Sequence, residues 1–252
     1  YEIEGLRVDL RLPGDLLSLV RPGRAPTLNI LDQIDLTIRP GETFGLVGES
    51  GSGKTTLART MLGLTPASAG RLSFRGADLT APGARADLRA ASAMMFQDPV
   101  ASLSPRMRVA SLVTEPLMIH GRKPADRHAE ARRLLAQVGL PAQLAERYPH
   151  ELSGGQARRV CVARALALNP ALVIADEPTA GLDVSVQGEI LNLMSDLKRG
   201  RGVSFLIITH NLAMIRHAAD RIAILYLGRL VESGPTDQVF ARPLHPYTAS
   251  LI

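Results

Sequence analysis

One stretch limits the possible folds more than any other: residues 48–55 read Gly-Glu-Ser-Gly-Ser-Gly-Lys-Thr and match G-x-x-x-x-G-K-[ST] at every fixed position. An apolar strand pattern precedes it at Phe44–Val47, and a helical pattern follows at Lys54–Leu64. Glycines allow phosphate oxygens to approach backbone N–H groups, and the N-terminus of the helix adds unpaired donors and a favourable dipole. The sequence therefore predicts a strand–loop–helix unit that binds phosphate.

The residue types in this loop indicate a nucleoside triphosphate. Lys54 supplies a mobile positive charge for the β- and γ-phosphates, and the hydroxyl of Thr55 is a ligand for Mg²⁺. The predicted nucleotide-binding residues of the loop are Gly48, Ser50, Gly51, Ser52, Gly53, Lys54, Thr55 and Thr56.

Two carboxylates follow a second apolar strand pattern, Leu172–Ala175. In α/β sheets, ligands bind outside the carboxyl ends of the strands, which is where Asp176 and Glu177 would lie. Asp176 is suited to Mg²⁺, usually through water, and Glu177 is suited to a general base that polarises an attacking water. We therefore predict a nucleotide-hydrolysing site made from two strand ends.

Short β-type runs alternate with helical patterns, which predicts an α/β fold with a largely parallel sheet. Residues from about 99 to 157 differ, because they contain six prolines and no strand pattern; we interpret them as an inserted helical subdomain. Residues 22–26 form a loop pattern. The predicted strands are Ile34–Ile38, Thr43–Val47, Arg71–Phe74, Ala93–Phe96, Leu172–Ala175, Phe205–Thr209, Arg221–Tyr226 and Arg229–Glu232. The predicted helices are Lys54–Leu64, Ala125–Val138, Gln156–Leu168 and Val184–Lys198.

Composition excludes several classes of protein. The formal charge is +5, but the basic residues are scattered rather than gathered in an arm that would bind nucleic acid. Aromatic residues make up 4%, with no Trp, which argues against a platform for stacking bases. The single cysteine, Cys161, excludes an internal disulfide. No apolar run approaches the ~20 residues of a membrane span, so a membrane role would need a partner. The start at Tyr1 without Met suggests a processed or excised chain.

A third motif, Leu-Ser-Gly-Gly-Gln at 152–156, begins about 20 residues before the acidic strand. Ser153 can cap a helix that begins near Gln156, and Gly154 and Gly155 leave bare N–H groups beside its positive end. This makes a second anion-binding site in the same chain. The motif in this position resembles the signature of ABC-transporter ATPases.

The resemblance extends over most of the chain. Gln97 resembles the Q-loop glutamine, which contacts Mg²⁺ or the lytic water and links the sheet to the helical subdomain. The stretch 180–183, Ala-Gly-Leu-Asp, resembles the D-loop, and its Asp183 lies near nucleotide in the family. His210 resembles the switch histidine, which holds the γ-phosphate. The resemblance thus implies catalytic roles for Glu177, His210 and Gln97, and metal contacts from Thr55, Gln97 and Asp176.

The resemblance also implies a fold: a P-loop NTPase (RecA-like) ABC ATPase core with an inserted helical subdomain and an N-terminal antiparallel β region. We expect one domain over 1–252, with a nucleotide-binding core of 1–98 and 158–252 and a helical signature subdomain of 99–157.

The family's mechanism implies two such domains paired head to tail. ATP and Mg²⁺ held by Lys54 and Thr55 of one domain are covered by Ser153 and Gly155 of the other, with Gly154 and Gln156 beside them. ATP then acts as a switch for pairing. On this basis, Glu177→Gln is expected to lower turnover by several orders of magnitude while ATP still binds.

Four short stretches resemble the ATPases of peptide and nickel importers: 96–99, 101–106, 115–117 and the His-Pro-Tyr-Thr of 245–248. The family usually has Asn where this chain has Ser104. The implied partners are transmembrane permease subunits, a second ABC ATPase (identical or paralogous) and, indirectly, a substrate-binding protein, with no nucleic acid. The implied location is the cytoplasmic face of the bacterial inner membrane. The solute is not encoded here, because such an ATPase contacts the permease and not the cargo.

Two departures from the family carry expectations. The family usually stacks adenine on an aromatic residue, but Leu10 or Leu12 occupies that position here, which predicts weaker or less base-selective nucleotide binding. Related importers also continue past the His-Pro-Tyr motif, whereas this sequence stops at Ile252, as a truncated chain or one half of a fused pair would.

Two alternatives remain open on sequence alone. The stretch 184–187 and the His-Pro-Tyr-Thr ending also resemble the accessory ATPases of carbon–phosphorus lyase, which serve a soluble enzyme complex. A non-transport ABC protein acting on ribosomes or DNA is less favoured, because such proteins usually carry two ATPase domains or a long coiled-coil insertion, and this sequence has neither.

Overall fold

A computed structural model describes residues 1–11, 27–81, 83–96 and 98–252. The described chain forms two β-sheets and ten α-helices. Gln97, Leu12 and the loop pattern at 22–26 lie outside the described residues. The strands are β1 Glu2–Arg11, β2 Thr27–Thr37, β3 Thr43–Val47, β4 Ala69–Phe74, β5 Ala77–Asp78, β6 Ser92–Met95, β7 Leu172–Asp176, β8 Ser204–Thr209, β9 Arg221–Tyr226 and β10 Arg229–Pro235. The helices are α1 Lys54–Met61, α2 Ala84–Ala91, α3 Pro99–Ser102, α4 Val109–Ile119, α5 Arg127–Ala136, α6 Gly154–Leu166, α7 Val184–Arg201, α8 Leu212–Ala218, α9 Thr236–Ala241 and α10 Pro246–Leu251.

The larger sheet has six strands in the order β10-β9-β3-β8-β7-β6. All neighbouring pairs are parallel except β9 and β10, which form an antiparallel hairpin. Every residue of β3, β7 and β8 is buried, as expected for strands covered on both faces. Because these three strands are adjacent, their carboxyl ends meet at one edge of the sheet.

The smaller sheet is antiparallel, with the order β2-β1-β4-β5, and agrees with the expected N-terminal β region. Its first strand has no simple alternating pattern in the sequence. Ile3, Leu6 and Val8 are buried, and the irregular spacing coincides with register shifts around Gly5, whose φ is +54°. A β-bulge here allows apolar residues at irregular spacing in β1 to face the same core.

The two faces of the larger sheet pack against different layers. Leu46, Ile174 and Leu206 face a core shared with α1 and the antiparallel sheet. Val47, Val173 and Phe205 face the core formed with the later helices. Alternate residues of each central strand thus serve both layers.

Between residues 98 and 154, the described chain contains helices and short 3-10 turns but no strand. The apolar faces of α4, α5 and α6 form the core of this part, with Leu112, Leu134 and Val160 fully buried. Helix α6 runs across the expected boundary at 157/158, so the division of the chain into core and subdomain stays a prediction. No helix within the described residues is long and apolar enough to cross a membrane.

Candidate functional site

The phosphate loop connects β3 to α1, as predicted. Gly53 has a φ of +107° and begins the helix without a side-chain cap, so the first N–H groups of α1 stay open. A Cβ on Gly48 would lie 2.2 Å from the carbonyl oxygen of Leu225 in β9. The loop therefore needs glycine at 48 because neighbouring backbone occupies the space.

Lys54 is held inside the loop rather than extended into solvent. Its Nζ donates to the carbonyl oxygens of Gly48 and Glu49, both at 2.7 Å, and the residue is 8% exposed. Burial lowers the pKa of Lys54, and the carboxylates of Glu177 and Asp176 partly offset this. An ammonium group held by two carbonyl oxygens can exchange them for phosphate oxygens.

The outer side of the loop is held by the C-terminal part of the chain. The N–H of Gly228, in the β9–β10 turn, donates to the carbonyl oxygen of Ser52 at 3.0 Å. The N–H of Glu49 donates to the Tyr247 hydroxyl at 3.2 Å, and the Tyr247 ring lies against Tyr226 with centroids 4.1 Å apart. The His-Pro-Tyr-Thr stretch, noticed in the sequence only as a resemblance, thus contacts the phosphate loop.

Thr55 and Asp176 meet across the end of β8. The Thr55 hydroxyl donates to Oδ2 of Asp176 at 2.9 Å, and Asp176 is 6% exposed. Burial raises the pKa of Asp176, with the hydrogen bond from Thr55 opposing that effect. A buried carboxylate beside a hydroxyl favours a cation, which would offset the cost of burying the charge.

The carboxylate of Glu177 is held by hydrogen bonds from the end of β8. Its Oε2 accepts from the Thr209 hydroxyl at 3.0 Å, and its Oε1 accepts from the N–H of His210 at 3.1 Å. Nδ1 of His210 lies 2.6 Å from the same Oε1, and the imidazole is largely exposed. The predicted pair is therefore brought together. Thr209 was not predicted, because a threonine that ends a buried strand has no distinguishing pattern.

A cleft of about 350 Å³ lies over these groups. Most of the described side chains that line it are polar, and Ile30 is the one aliphatic side chain among them. Within the described residues, no three His, Cys, Asp or Glu side chains are grouped to hold a metal ion by themselves. A metal here would need hydroxyl, water or phosphate oxygens as well. The lining residues are Ile30, Ser50, Gly51, Gly53, Lys54, Thr55, Thr56, Asp176 and Glu177.

The signature stretch forms a separate, complete helix cap. The Ser153 hydroxyl accepts from the N–H of Gln156 at 3.2 Å, and Oε1 of Gln156 accepts from the N–H of Ser153 at 3.0 Å. This confirms a capped helix, although α6 begins at Gly154, two residues earlier than predicted. None of the described residues that line the cleft comes from 153–156, and Asp183 is also absent from that lining.

A buried arginine joins the signature helix α6 to the turn that carries Glu177. Arg158, in α6, is 3% exposed and donates to the carbonyl oxygens of Glu177 and Ala180. Sequence reasoning missed it, because an arginine in an amphipathic helix pattern is normally assigned to the solvent face.

The sequence profile of the ABC transporter family matches residues 31–180, more than half of the 252 residues. The chain belongs to the ABC transporter family. As an ABC ATPase it binds and hydrolyses ATP.

Curated relatives point to one branch of the ABC transporter family. A Brucella abortus (strain 2308) protein that carries the name peptide import ATP-binding protein is 46% identical over 89% of this chain and 69% of its own length. A protein of the same name from Brucella ovis is 47% identical over 91% of this chain and 73% of its own length.

Solved structures agree on the ABC ATPase fold. The ATP-binding cassette MJ0796, in a dimeric post-hydrolysis state bound to ADP and Pi, is 25% identical, with a TM-score of 0.79 over 93% of this chain and 98% of that one. The cbiO1 protein from Clostridium perfringens, part of the ABC transporter complex cbiONQ, is 27% identical, with a TM-score of 0.81 over 96% and 90%.

Proposed function

We propose that this ABC ATPase is the motor subunit of a bacterial importer for di- or oligopeptides or a related small solute. The observation that carries the proposal is the convergence of Lys54, the Thr55–Asp176 pair and the Glu177–His210 pair at one edge of the sheet. The solute class comes from the two Brucella relatives, whose names specify peptide import. The site would operate at the cytoplasmic face of the inner membrane.

Glu177 has the surroundings of a general base. Its carboxylate is fixed by the Thr209 hydroxyl and the His210 backbone, so it would polarise a water without first reorienting. His210 has an exposed imidazole within reach of the same oxygen, from which it would turn to the γ-phosphate. Lys54 would exchange its carbonyl contacts for phosphate oxygens. Gln97 is proposed to contact the water or metal as in the family.

A Mg²⁺ ion fits the residues present. Mg²⁺ prefers oxygen ligands, keeps several waters and binds through one or two protein groups together with substrate phosphates. The Thr55 hydroxyl and the buried Asp176 carboxylate supply that small donor set. The ion would neutralise charge on the phosphates.

The signature residues would act on the nucleotide of a second subunit. Ser153 and Gly154 are exposed, and the cleft of the same chain is lined without them. The dimeric state of the MJ0796 cassette supports such pairing. We therefore propose that Ser153, Gly154, Gly155, Gln156 and Asp183 complete the site of a partner ATPase, with 99–157 acting as a helical subdomain next to the core of 1–98 and 158–252.

The test combines chemistry with assembly. Glu177→Gln is expected to lower kcat by about a hundredfold to ten-thousandfold and to leave ATP binding intact, because only the base is removed. Light scattering of this variant should show a dimer with ATP and a monomer without it. Undiminished hydrolysis would remove Glu177 from the role of base. ATP binding without dimerisation would indicate a different partner ATPase.

The importer assignment has its own test. Permease subunits of a peptide importer, purified in detergent, should bind the ABC ATPase and stimulate its hydrolysis. A nickel importer would bind similar permeases, so uptake of labelled dipeptide against nickel separates those two. Stimulation by a soluble enzyme complex instead of a permease would favour the carbon–phosphorus lyase alternative.

We also propose that aliphatic side chains contact the adenine base of the bound nucleotide. Leu10 and Leu28 are directly opposed on β1 and β2 and are both exposed, and Ile30, two residues farther along β2, lines the cleft. Aliphatic side chains do not distinguish bases by stacking or hydrogen bonding, so ATP and GTP should compete within about tenfold of each other. Leu10→Phe should tighten both nucleotides, since a stacked base contributes about 1–3 kcal/mol. A strong preference for ATP over GTP would contradict this.

A further inference from the structure

The backbone at Glu177 adopts a conformation that side chains normally avoid. Its φ is +49°, in the left-handed region, although the residue is neither Gly nor Asn. Such residues persist when their surroundings impose the conformation. The N–H of Glu177 donates to the carbonyl oxygen of Ile208 at 2.8 Å, which fixes one side of this peptide.

Arg158 fixes the other side. Its Nη1 donates to the carbonyl oxygen of Glu177 at 3.3 Å, and its Nη2 donates to that of Ala180 at 2.6 Å. Both acceptors lie in the turn that leaves β7, where the N–H of Ala180 also donates to the Glu177 carbonyl at 3.2 Å. One planar guanidinium thus spans the turn, as its fixed fork of donors allows.

The position of Arg158 in the chain makes this contact informative. It lies five residues after Ser153, in the helix whose N-terminus is the signature stretch. Its guanidinium therefore joins that helix to the main chain of the carboxylate-bearing turn. The neighbouring Arg159 points elsewhere: it pairs with Glu189 and donates to the Val138 carbonyl at 3.2 Å.

We propose that Arg158 is a positioning residue for hydrolysis, which holds the main chain at Glu177 and Ala180 and so fixes the carboxylate relative to the signature helix. The inference rests on the proposed role of Glu177 as general base. Arg158 does not itself contact nucleotide in this proposal; it acts through the turn. A displacement of about 1 Å in a reacting group can cost about a hundredfold in rate.

The first experiment compares Arg158→Met with Arg159→Met as a matched control one residue away. Met has a similar length and no donors, so Arg158→Met should lower kcat by about tenfold to a hundredfold. The KM for ATP and the affinity for ATP should stay within about threefold, because the phosphate loop is untouched. Arg159→Met should keep kcat near that of the parent protein.

A second variant guards against simple loss of folding. Arg158→Lys keeps a cation that can reach one carbonyl, so its kcat should lie between those of Arg158→Met and the parent protein. Hydrogen exchange gives a readout without catalysis: the amides of Glu177 and of residues 179–182 should exchange faster in Arg158→Met and at the parent rate in Arg159→Met. A general loss of protection over the whole sheet would assign Arg158 a structural role and overturn the proposal.

Combination with Glu177→Gln separates this inference from the proposed function. If Arg158 acts through Glu177, adding Arg158→Met to Glu177→Gln should lower the residual rate much less than it lowers the parent rate. Equal factors in both backgrounds would overturn the positioning role. Parent-like hydrolysis by Glu177→Gln alone would instead refute the base assignment, whereas parent-like kcat in both Arg158 variants would refute only this inference.

Discussion

Two helix N-termini in this ABC ATPase are suited to phosphate, and they are built in opposite ways. The N-terminus of α1 begins at Gly53 with no side-chain cap, and its N–H groups stay open behind the buried Lys54. The N-terminus of α6 is capped by reciprocal hydrogen bonds, which occupy only the N–H groups of Ser153 and Gln156. The first is ready for a ligand from its own chain's cleft, whereas the second is stable by itself and exposed.

The glycines of the phosphate loop and of the signature stretch also differ, in how much space surrounds them. A Cβ on Gly48 would overlap the backbone of β9, and a Cβ on Gly53 would lie 2.8 Å from the Leu31 side chain. A Cβ on Gly154 would meet nothing closer than Leu182, at 3.7 Å. The fold itself therefore requires glycine at 48 and 53, but it does not require Gly154. The proposed binding of a partner's nucleotide would place the demand for glycine at 154 outside the chain.

The largest effect is expected at Gly48. In Gly48→Ala the new Cβ would be 2.2 Å from the Leu225 carbonyl, which belongs to a strand paired on both sides and cannot move aside freely. The free energy of unfolding should fall by about 3 kcal/mol or more, measured by urea denaturation. Gly188→Ala in α7 is the matched control, since its Cβ meets nothing within 4 Å. Equal free energies of unfolding for the two variants would show that the fold does not require glycine at 48.

A smaller effect, of opposite sign for stability, is expected at Gly154. Gly154→Ala should keep or slightly raise the free energy of unfolding, because alanine is the better helix former. In the Glu177→Gln background it should weaken ATP-dependent dimerisation by about tenfold or more, equal to ~1.4 kcal/mol, because a methyl group would crowd a phosphate against bare N–H groups. Light scattering against protein concentration measures this. Unchanged dimerisation would mean that this glycine does not approach the nucleotide.

Sequence reasoning succeeded where local chemistry and local structure coincide. The phosphate loop, the strand that bears Asp176 and the helix after Ser153 were predicted because each motif lies beside its own apolar pattern. Helix α4 is not among the individual helices predicted within the helical subdomain, because Pro116 interrupts its helical pattern. Its largely apolar buried face, including Val113, packs against the other helices and outweighs the missing hydrogen bond.

Long-range contacts were beyond prediction for a different reason. The hydrogen bond from Glu49 to Tyr247 spans 198 residues, and the contact of Arg158 with Glu177 depends on how α6 packs against the turn after β7. No sequence spacing specifies such pairs. The site can thus be predicted as a set of motifs, whereas the residues that hold the motifs in place emerge only from the packed structure.

The smallest effect concerns the support that the C-terminal segment gives to the phosphate loop. The two oxygens of Glu232 accept from the N–H groups of Leu244 and His245 at 2.9 and 3.0 Å, which fixes the segment that carries Tyr247 to Glu49. Burial opposes ionisation of Glu232, but the hydrogen bond from Leu244 and its neighbours prevails, and the pKa is lowered.

A carboxyl with a lowered pKa binds fewer protons in the folded than in the unfolded state, so its stabilisation is present above the unfolded pKa and is lost as pH falls through the folded pKa. Glu232→Gln leaves one acceptor for two N–H groups and should cost no more than about 1 kcal/mol at neutral pH, because the site is partly exposed. The difference from the parent protein should shrink below the ordinary pKa of Glu. Urea denaturation from pH 7 to the acid limit of the folded state measures it, and a difference that grows on acidification would show that Glu232 supports the loop in another way.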